Sequence, residues 1–348
     1  MQKTIRIGID AMGGDFAPEN EIMGAVIALE LFAKSKISKD FDLKIHIFGL
    51  KSKILEIAKS NNLSLEKFTI VDAPEIITMK DDPTEIIKTK KNSSLYLGLQ
   101  STKNQEIDGF VSGGNTGAML SLSTVLLGRI SGVSRPAIAT FLPSAGQFPT
   151  LLIDAGATID SKSRFLFDFA MLGSLYFQEV FSVENPTVGL LNVGEEESKG
   201  TDVLKETYQI MKESPLNFVG NVEGRDILRG NTNVVVCDGF VGNVILKFAE
   251  SFTSLLKSKI KNYADKSILN KIKAAFSVPA LKGVTKAFDY QEYGGVPILG
   301  VKGISIVGHG KSTPLAYANM IMRATELVHI SFLQKIENFI TNLSINIQ

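Results

Sequence analysis

Thr4-Ile5-Arg6-Ile7-Gly8-Ile9-Asp10 runs into Ala11-Met12-Gly13-Gly14-Asp15, and then into Phe16-Ala17-Pro18-Glu19-Asn20 ahead of an apolar-periodic run that reaches Ala33. The reading of this stretch decides the fold. Its branched aliphatic residues read as a buried strand. Gly13 and Gly14 let the backbone turn through φ > 0 and approach a ligand closely. Pro18 and Glu19 suit the first turn of a helix. Strand, glycine turn and helix together put Asp10 and Asp15 at the carboxyl end of a strand, where open α/β sheets place their sites.

The alternation continues through all 348 residues. Apolar runs predict strands over 4–10, 44–49, 68–73, 108–112, 137–142, 149–154, 187–193, 217–222, 233–238 and 303–308. Amphipathic runs predict helices over 18–34, 51–61, 84–103, 115–129, 163–181, 202–213, 241–262, 266–277 and 313–341. Such alternation implies βαβ units, an α/β fold with a mainly parallel sheet flanked by helices. No Pro- or Ser-rich linker interrupts it, so 1–348 is expected to form a single continuous α/β domain.

Composition narrows the function. The chain is 44% apolar and 21% charged, an ordinary soluble balance. Its net charge of +1 argues against a general nucleic-acid binder. Cys237 is the one cysteine, which excludes an internal disulfide. The chain opens on a strand, so no secretory leader is expected. No apolar run approaches the roughly 18 residues of a bilayer span.

The charge is uneven. Between Lys257 and Lys286 stand eight lysines and one acid, Asp265, a net of +7, leaving −6 for the rest. Leu256, Ile260 and Tyr263, then Ile268, Leu269, Ile272 and Phe276, recur at helical spacing, and Pro279 and Gly283 interrupt the run. We read 245–286 as a basic amphipathic helical hairpin that protrudes from the body. It is either a solvated helix pair packed on the body or on a second subunit, or a surface for anionic lipid headgroups or an acidic protein.

Six further loops carry small polar residues and glycine. They are Ser112-Gly113-Gly114-Asn115-Thr116-Gly117, Asp154-Ala155-Gly156-Ala157-Thr158, and Asn192-Val193-Gly194-Glu195 with Ser198-Lys199-Gly200-Thr201 beyond it. The others are Asn221-Val222-Glu223-Gly224-Arg225, Asp238-Gly239-Phe240-Val241-Gly242-Asn243 and Gly308-His309-Gly310-Lys311-Ser312. Taken singly, each is a βα turn with a helix cap. Together they make a polar edge rich in backbone N–H groups, which suits a phosphate or phosphorylated ligand. A P-loop is ruled out, since Ser305 stands where Gly310-Lys311-Ser312 would need its first glycine. The first turn lacks the dinucleotide Gly-x-Gly-x-x-Gly. His46 and His329 read as structural, whereas His309, between two glycines, is placed for acid–base work. Cys237 ends an apolar strand and reads as a core thiol. Glu195, Glu196 and Glu197 lack a nearby His or Asp partner and read as a helical charge run, so no metal is expected.

With these loops in hand, the chain resembles the bacterial phosphate acyltransferases, the acyl-acyl-carrier-protein:phosphate acyltransferase family of phospholipid synthesis. The likeness rests on Ile9-Asp10-Ala11-Met12-Gly13-Gly14-Asp15 with Pro18, Ser112 to Ala118, Arg135-Pro136-Ala137, Asp154-Ala155-Gly156-Ala157 and Leu191 to Glu197 with Lys199-Gly200. It continues through Phe218 to Gly224, Asp238 to Asn243, Tyr293-Gly294-Gly295 and Gly308-His309-Gly310, covering nearly the whole chain in order. Members often carry Ala where Gly113 stands, and a small residue or Ser where Lys311 stands.

The resemblance implies a phosphotransacetylase-like fold, of the isocitrate dehydrogenase group, and no cofactor. It implies transfer of a fatty acyl group from acyl carrier protein to inorganic phosphate, giving acyl-phosphate for phosphatidic acid synthesis. It also implies a cytoplasmic homodimer, peripherally attached to the membrane, that feeds a glycerol-3-phosphate acyltransferase. On that basis Asp10, Gly13, Gly14, Asp15, Gly114, Asn115, Thr116, Asp154, Glu195, Lys199 and Lys311 are expected to bind phosphate or substrate. His309, Asp238, Asn243 and Asn192 are expected to carry catalysis, with Asp238 orienting His309 or accepting a phosphate proton. Lys266, Ile268, Lys271, Ile272, Lys273 and Phe276 are expected to meet membrane or carrier. The competing readings are a phosphotransacetylase acting on short acyl-coenzyme A, a non-catalytic anion- or lipid-binding protein on the same fold, and a dehydrogenase, which lacks its fingerprint.

Overall fold

The structure, a computed structural model, describes residues 3–273 and 294–346. In chain order its main elements are β1 (Lys3–Asp10), α1 (Glu19–Lys34), β2 (Phe41–Gly49), α2 (Lys51–Ser60), β3 (Phe68–Asp72), α3 (Ile86–Thr89), α4 (Ser94–Lys103), β4 (Gly109–Ser112) and α5 (Thr116–Leu122). Then come β5 (Ala137–Leu142), β6 (Thr150–Ile153), α6 (Ser163–Phe181), β7 (Val188–Leu191), α7 (Asp202–Lys212), β8 (Phe218–Val222), α8 (Asp226–Arg229), β9 (Val234–Val236) and α9 (Gly239–Ala264). The last are β10 (Val296–Leu299), β11 (Ile304–Val307), α10 (Pro314–His329) and α11 (Phe332–Asn346). Two compact units emerge: Met1–Ala139 with Tyr293–Gln348, and Thr140–Glu292.

In the first unit the strands run β3-β2-β1-β4-β11-β10-β5. Ile5, Ile7 and Ile9 on one face of β1 and Gly8 and Asp10 on the other are buried, as a strand covered on both faces requires. β1 pairs in parallel with β2 and β4, and β4 with β11. The register sets Ile9 beside Val111 and Val307 beside Ser112, so the strands end almost level. Their following loops, 11–15, 113–117 and 308–312, therefore leave from one edge. Phe48, Leu99, Phe110, Leu122 and Val307 lie in the core beneath. The β-carbon of an alanine at Gly98 would lie 1.9 Å from the Phe110 ring, so α4 rests directly on that ring.

In the second unit the order is β6-β9-β7-β8, parallel throughout. Ile153 and Leu190 both align with Val236, which levels the ends from which Asp154, Asn192 and Asp238 follow. A cluster of Phe141, Phe148, Phe177 and Phe181 packs on α6, with ring centroids 4.8–6.4 Å apart.

The α/β class and the ten predicted strands are found, but three predicted helices are broken. Within 84–103 the chain leaves α3 at Lys90, whose Nζ is held by Ile76 O and Asp81, and restarts at Ser93, which caps α4. Within 115–129, α5 widens into a π-turn over Ser123–Leu127 and stops at Gly128, where φ is +79°. Within 313–341, Ser331 at φ +55° separates α10 from α11. The strand β10 was not predicted: Val296-Pro297-Ile298-Leu299 is short and holds a proline, which argues against an interior strand. It runs antiparallel to both β11 and β5.

Candidate functional site

In the first unit, three strand-end loops are tied together through their main chains. Asp15 N–H donates to Gly310 O at 2.7 Å, and Gly308 N–H to Ser112 O at 2.7 Å. Asp10 is buried below them and accepts from Ser112 Oγ at 2.7 Å and Met12 N–H at 3.0 Å. Ser112 Oγ in turn accepts from Gly114 N–H at 3.0 Å. A β-carbon on Gly13 would lie 2.4 Å from Asp10 Oδ2 and 2.9 Å from Gly114 N, so the two glycine loops meet backbone to backbone. Burial pushes the Asp10 carboxyl above its ordinary range, and its hydrogen bonds pull it back. Asp10 is thus a loop anchor, while Asp15, Thr116 and Lys311 are exposed.

Asn115 caps α5: its Oδ1 accepts from Ala118 N–H at 3.0 Å, and its Nδ2 reaches Thr78 O and Asp81 O at 3.3 and 3.4 Å. His309 is half-buried. Its Nδ1 accepts from Lys311 N–H at 3.1 Å, and its backbone N–H donates to Ser312 Oγ at 3.2 Å. A neutral imidazole with an accepting Nδ1 carries its proton on Nε2.

The second unit gathers the other candidates. Asp154 is fully buried, and its carboxylate accepts from Gly156, Ala157 and Thr158 N–H at 2.7–3.1 Å. Thr158 O accepts from Gly239 N–H at 2.8 Å, which ties that loop to the start of α9. Asp238 caps α9 by accepting from Val241 N–H at 2.9 Å. One turn on, exposed Asn243 lies against Gly156. Asn192 is buried, accepts from Val193 N–H and donates to Lys199 O at 3.1 Å. Lys199 and Glu195 are exposed, the former 3.7 Å from Glu196 and the latter 3.5 Å from Arg225. Asp10, Asp154 and Asn192 therefore shape loops, and the solvent-facing candidates are those around them. Burial pushes the Cys237 thiol well up, and its Sγ contacts Asp154 O, as a core thiol would. Among the described residues no cluster of His, Cys, Asp or Glu has the makings of a metal site.

On α9, Phe240, Val244, Phe248, Phe252 and Leu255 recur every three or four residues and are all exposed, Phe248 by 71%. The opposite face, Ile245, Leu246 and Ala249, packs on the core. Beyond the bend, Ile268, Leu269 and Ile272 are exposed and Lys271 lies 4.0 Å from Asp265, whereas Phe276 falls outside the described residues. Among the described residues no helix is long and apolar enough to cross a membrane.

Sequence reasoning missed four contributors. Glu21, Tyr317, Ser112 and Asn20 hold the first unit's loops from below, Asn20 Nδ2 through Ser312 O at 3.0 Å. Ser112 and Asn20 stood inside quoted stretches, and Glu21 and Tyr317 carry no local signal.

The model of a family described as fatty acid synthesis protein matches residues 5–335. A phosphate acyltransferase of Dictyoglomus turgidum is 40% identical over 333 residues, 95% of this chain and 96% of that one. One from Heliobacterium modesticaldum is 42% identical over 337 residues, 97% and 98% of the two chains. Among solved structures, a phosphotransacetylase from Streptococcus pyogenes superimposes with a TM-score of 0.60 at 16% identity, covering 94% of each chain. A branched-chain phosphotransacylase from Enterococcus faecalis gives 0.55 at 14%, covering 93% and 99%. At such identities this second pair speaks for the fold alone.

Proposed function

The chain belongs to the phosphate acyltransferase family, and from that premise we propose that it transfers a fatty acyl group from acyl carrier protein to inorganic phosphate. A phosphate oxygen attacks the thioester carbonyl carbon, the C–S bond breaks, and acyl-phosphate leaves with free carrier thiol. The whole of 1–348 is read as serving this reaction.

The observation that carries the reading is the first unit's set of glycine loops, joined at one sheet edge and anchored on buried Asp10. Phosphate is a weak nucleophile unless it is held against the carbonyl, and proximity supplies much of the rate. In this reading the loop 13–15 and the start of α5, with Gly114, Asn115 and Thr116, cradle phosphate, and Lys311 offsets its charge. His309 donates to phosphate or to the departing thiolate. Asp154 acts by holding its loop.

The exposed apolar stripe of α9 supports a homodimer, since a second copy would cover it. The lysines and exposed Ile268 and Ile272 beyond it support contact with an acidic carrier or an anionic membrane surface, and hence peripheral attachment in the cytoplasm. The product would pass to a glycerol-3-phosphate acyltransferase.

The test incubates the purified protein with palmitoyl-acyl carrier protein and phosphate, and traps acyl-phosphate with hydroxylamine. Phosphate-dependent hydroxamate with release of free carrier is expected. Product from acetyl-coenzyme A but not from the carrier thioester would replace this reading with a short-chain phosphotransacetylase.

A further inference from the structure

Beneath the Gly13–Gly14 turn lies a buried polar pair that the reaction above does not use. Glu21, from α1, has no exposed surface. Its Oε1 accepts from the Tyr317 hydroxyl at 2.7 Å and from Gly14 N–H at 3.2 Å, and its buried Oε2 has no hydrogen-bond partner among the described residues. Tyr317, from α10, is equally buried and is seated against three glycines. A β-carbon on Gly14 would lie 2.3 Å from its hydroxyl, one on Gly113 2.0 Å from it, and one on Gly24 2.4 Å from its Cβ. The hydroxyl thus touches both glycine loops, and the carboxyl holds one of the N–H groups that faces the turn.

The titratable groups around the pair are few. Asp10, at the end of β1, bears on Glu21, and Asp10 and Asp15 bear on Tyr317. Burial is the largest influence on both. It pushes the Glu21 carboxyl up to about 7, against the pull of the Tyr317 and Gly14 hydrogen bonds, and drives the Tyr317 hydroxyl far up. An ionised Glu21 would hold the Gly14 N–H more tightly and repel an anion seated in the turn, whereas a neutral one accepts more weakly and carries no charge.

We propose that Glu21 and Tyr317 are a proton-linked positioning pair for the phosphate loop, so that phosphate bound at Gly13–Gly14 is coupled to a proton held on Glu21. The inference rests on the phosphate reading above and adds a pH dependence that the glycine loops alone would lack.

The test is titration calorimetry of inorganic phosphate into the full chain from mildly acidic to mildly basic pH. It is run beside the acyl-phosphate assay for the unaltered protein, Glu21→Gln and Tyr317→Phe. Phosphate's own ionisation is common to all three, so only the differences count. Relative to Glu21→Gln, the unaltered protein is expected to lose about tenfold in phosphate affinity as pH rises through neutrality, the effect of about one pKa unit of coupling. Tyr317→Phe removes a donor that favours the ionised carboxylate, so its break is expected at higher pH.

Identical profiles in all three proteins would overturn the pair, and acyl-phosphate formation would then leave the functional reading standing. Phosphate binding that is absent at every pH overturns the pair as well, and the functional reading falls with it if no acyl-phosphate forms. Should Glu21→Gln not fold, Tyr317→Phe decides: an unmoved break overturns the proposal.

Discussion

Replacing Glu21 by Gln should change how the stability of the protein depends on pH. The Glu21 carboxyl is raised from an ordinary value of 4.5 to about 7 in the folded protein. The native state therefore holds this proton more tightly than the unfolded chain does. Below about pH 4.5 both states are protonated and the residue has no differential effect. Between about 4.5 and 7 the unfolded chain releases the proton first, and stability falls as pH rises. Above about 7 both are ionised and the full cost of the buried charge is present. The rise from 4.5 to about 7 amounts to about 3 kcal/mol. Asp10 is raised by burial as well, but it is common to both proteins and cancels in the comparison.

Gln cannot ionise, so its profile lacks this descent. Its amide nitrogen would stand where Oε2 or Oε1 stood and adds an unsatisfied buried donor, a pH-independent cost of about 1–3 kcal/mol. The variant is thus expected to be the less stable protein at about pH 5 and to close the gap, or overtake, by about pH 8. Urea denaturation at several pH values, with midpoints and slopes fitted for each protein, reads the difference directly. Parallel profiles for the two proteins, with a constant offset, would refute the claim that Glu21 is buried and titrates near neutrality.

Four further expectations follow from the same geometry. His309→Ala should lower acyl-phosphate turnover by about 10²-fold, the lower range for a positioned proton donor, with the fold kept by circular dichroism; unchanged turnover removes its assigned role. Asn115→Ala should destabilise by about 1 kcal/mol through the lost α5 cap and reduce turnover further than that loss explains, so an effect on stability alone would make Asn115 only a cap. Gly98→Ala sets a methyl 1.9 Å from Phe110 and should cost about 1–3 kcal/mol or more in chemical denaturation, with no measurable cost contradicting the α4 contact. Ile268→Asp with Ile272→Asp should abolish co-sedimentation with anionic vesicles while the oligomeric state by light scattering is unchanged, and undiminished binding would remove membrane contact from that segment.

Much of this was legible because parallel βαβ units announce themselves locally. The glycine turn after Asp10 and the Asp238 cap are short-range signals, and they fell where the structure has them. Burial is not a short-range signal. Asp10 and Asp154 looked like ligands because they end strands, yet their oxygens are taken up by the N–H groups of their own loops and by Ser112. Glu21 is an acid in the first turn of α1 and carries no signal of its burial. Its importance comes from Tyr317, nearly three hundred positions away in the sequence, which no periodicity could pair with it. The helix breaks at Lys90 and Ser331 failed for a related reason: a side-chain tether and a positive φ interrupt runs whose apolar spacing continues. β10 was lost to its proline and its brevity.

The chain leaves the first unit at Ala139 and returns to it only at Tyr293. On a ribosome this order has a consequence. β1 to β4 emerge early, but β4 has its outer neighbour β11, and α1 its Tyr317 and Pro314 contacts, only after the final fifty or so residues are made. The continuous Thr140–Glu292 unit can close while the glycine loops still wait for their third member. Nascent chains stalled just short of Gly308 should therefore show a protease-resistant second unit beside a labile first one. During synthesis, the edge where the three glycine loops meet is therefore completed only near the end of the chain.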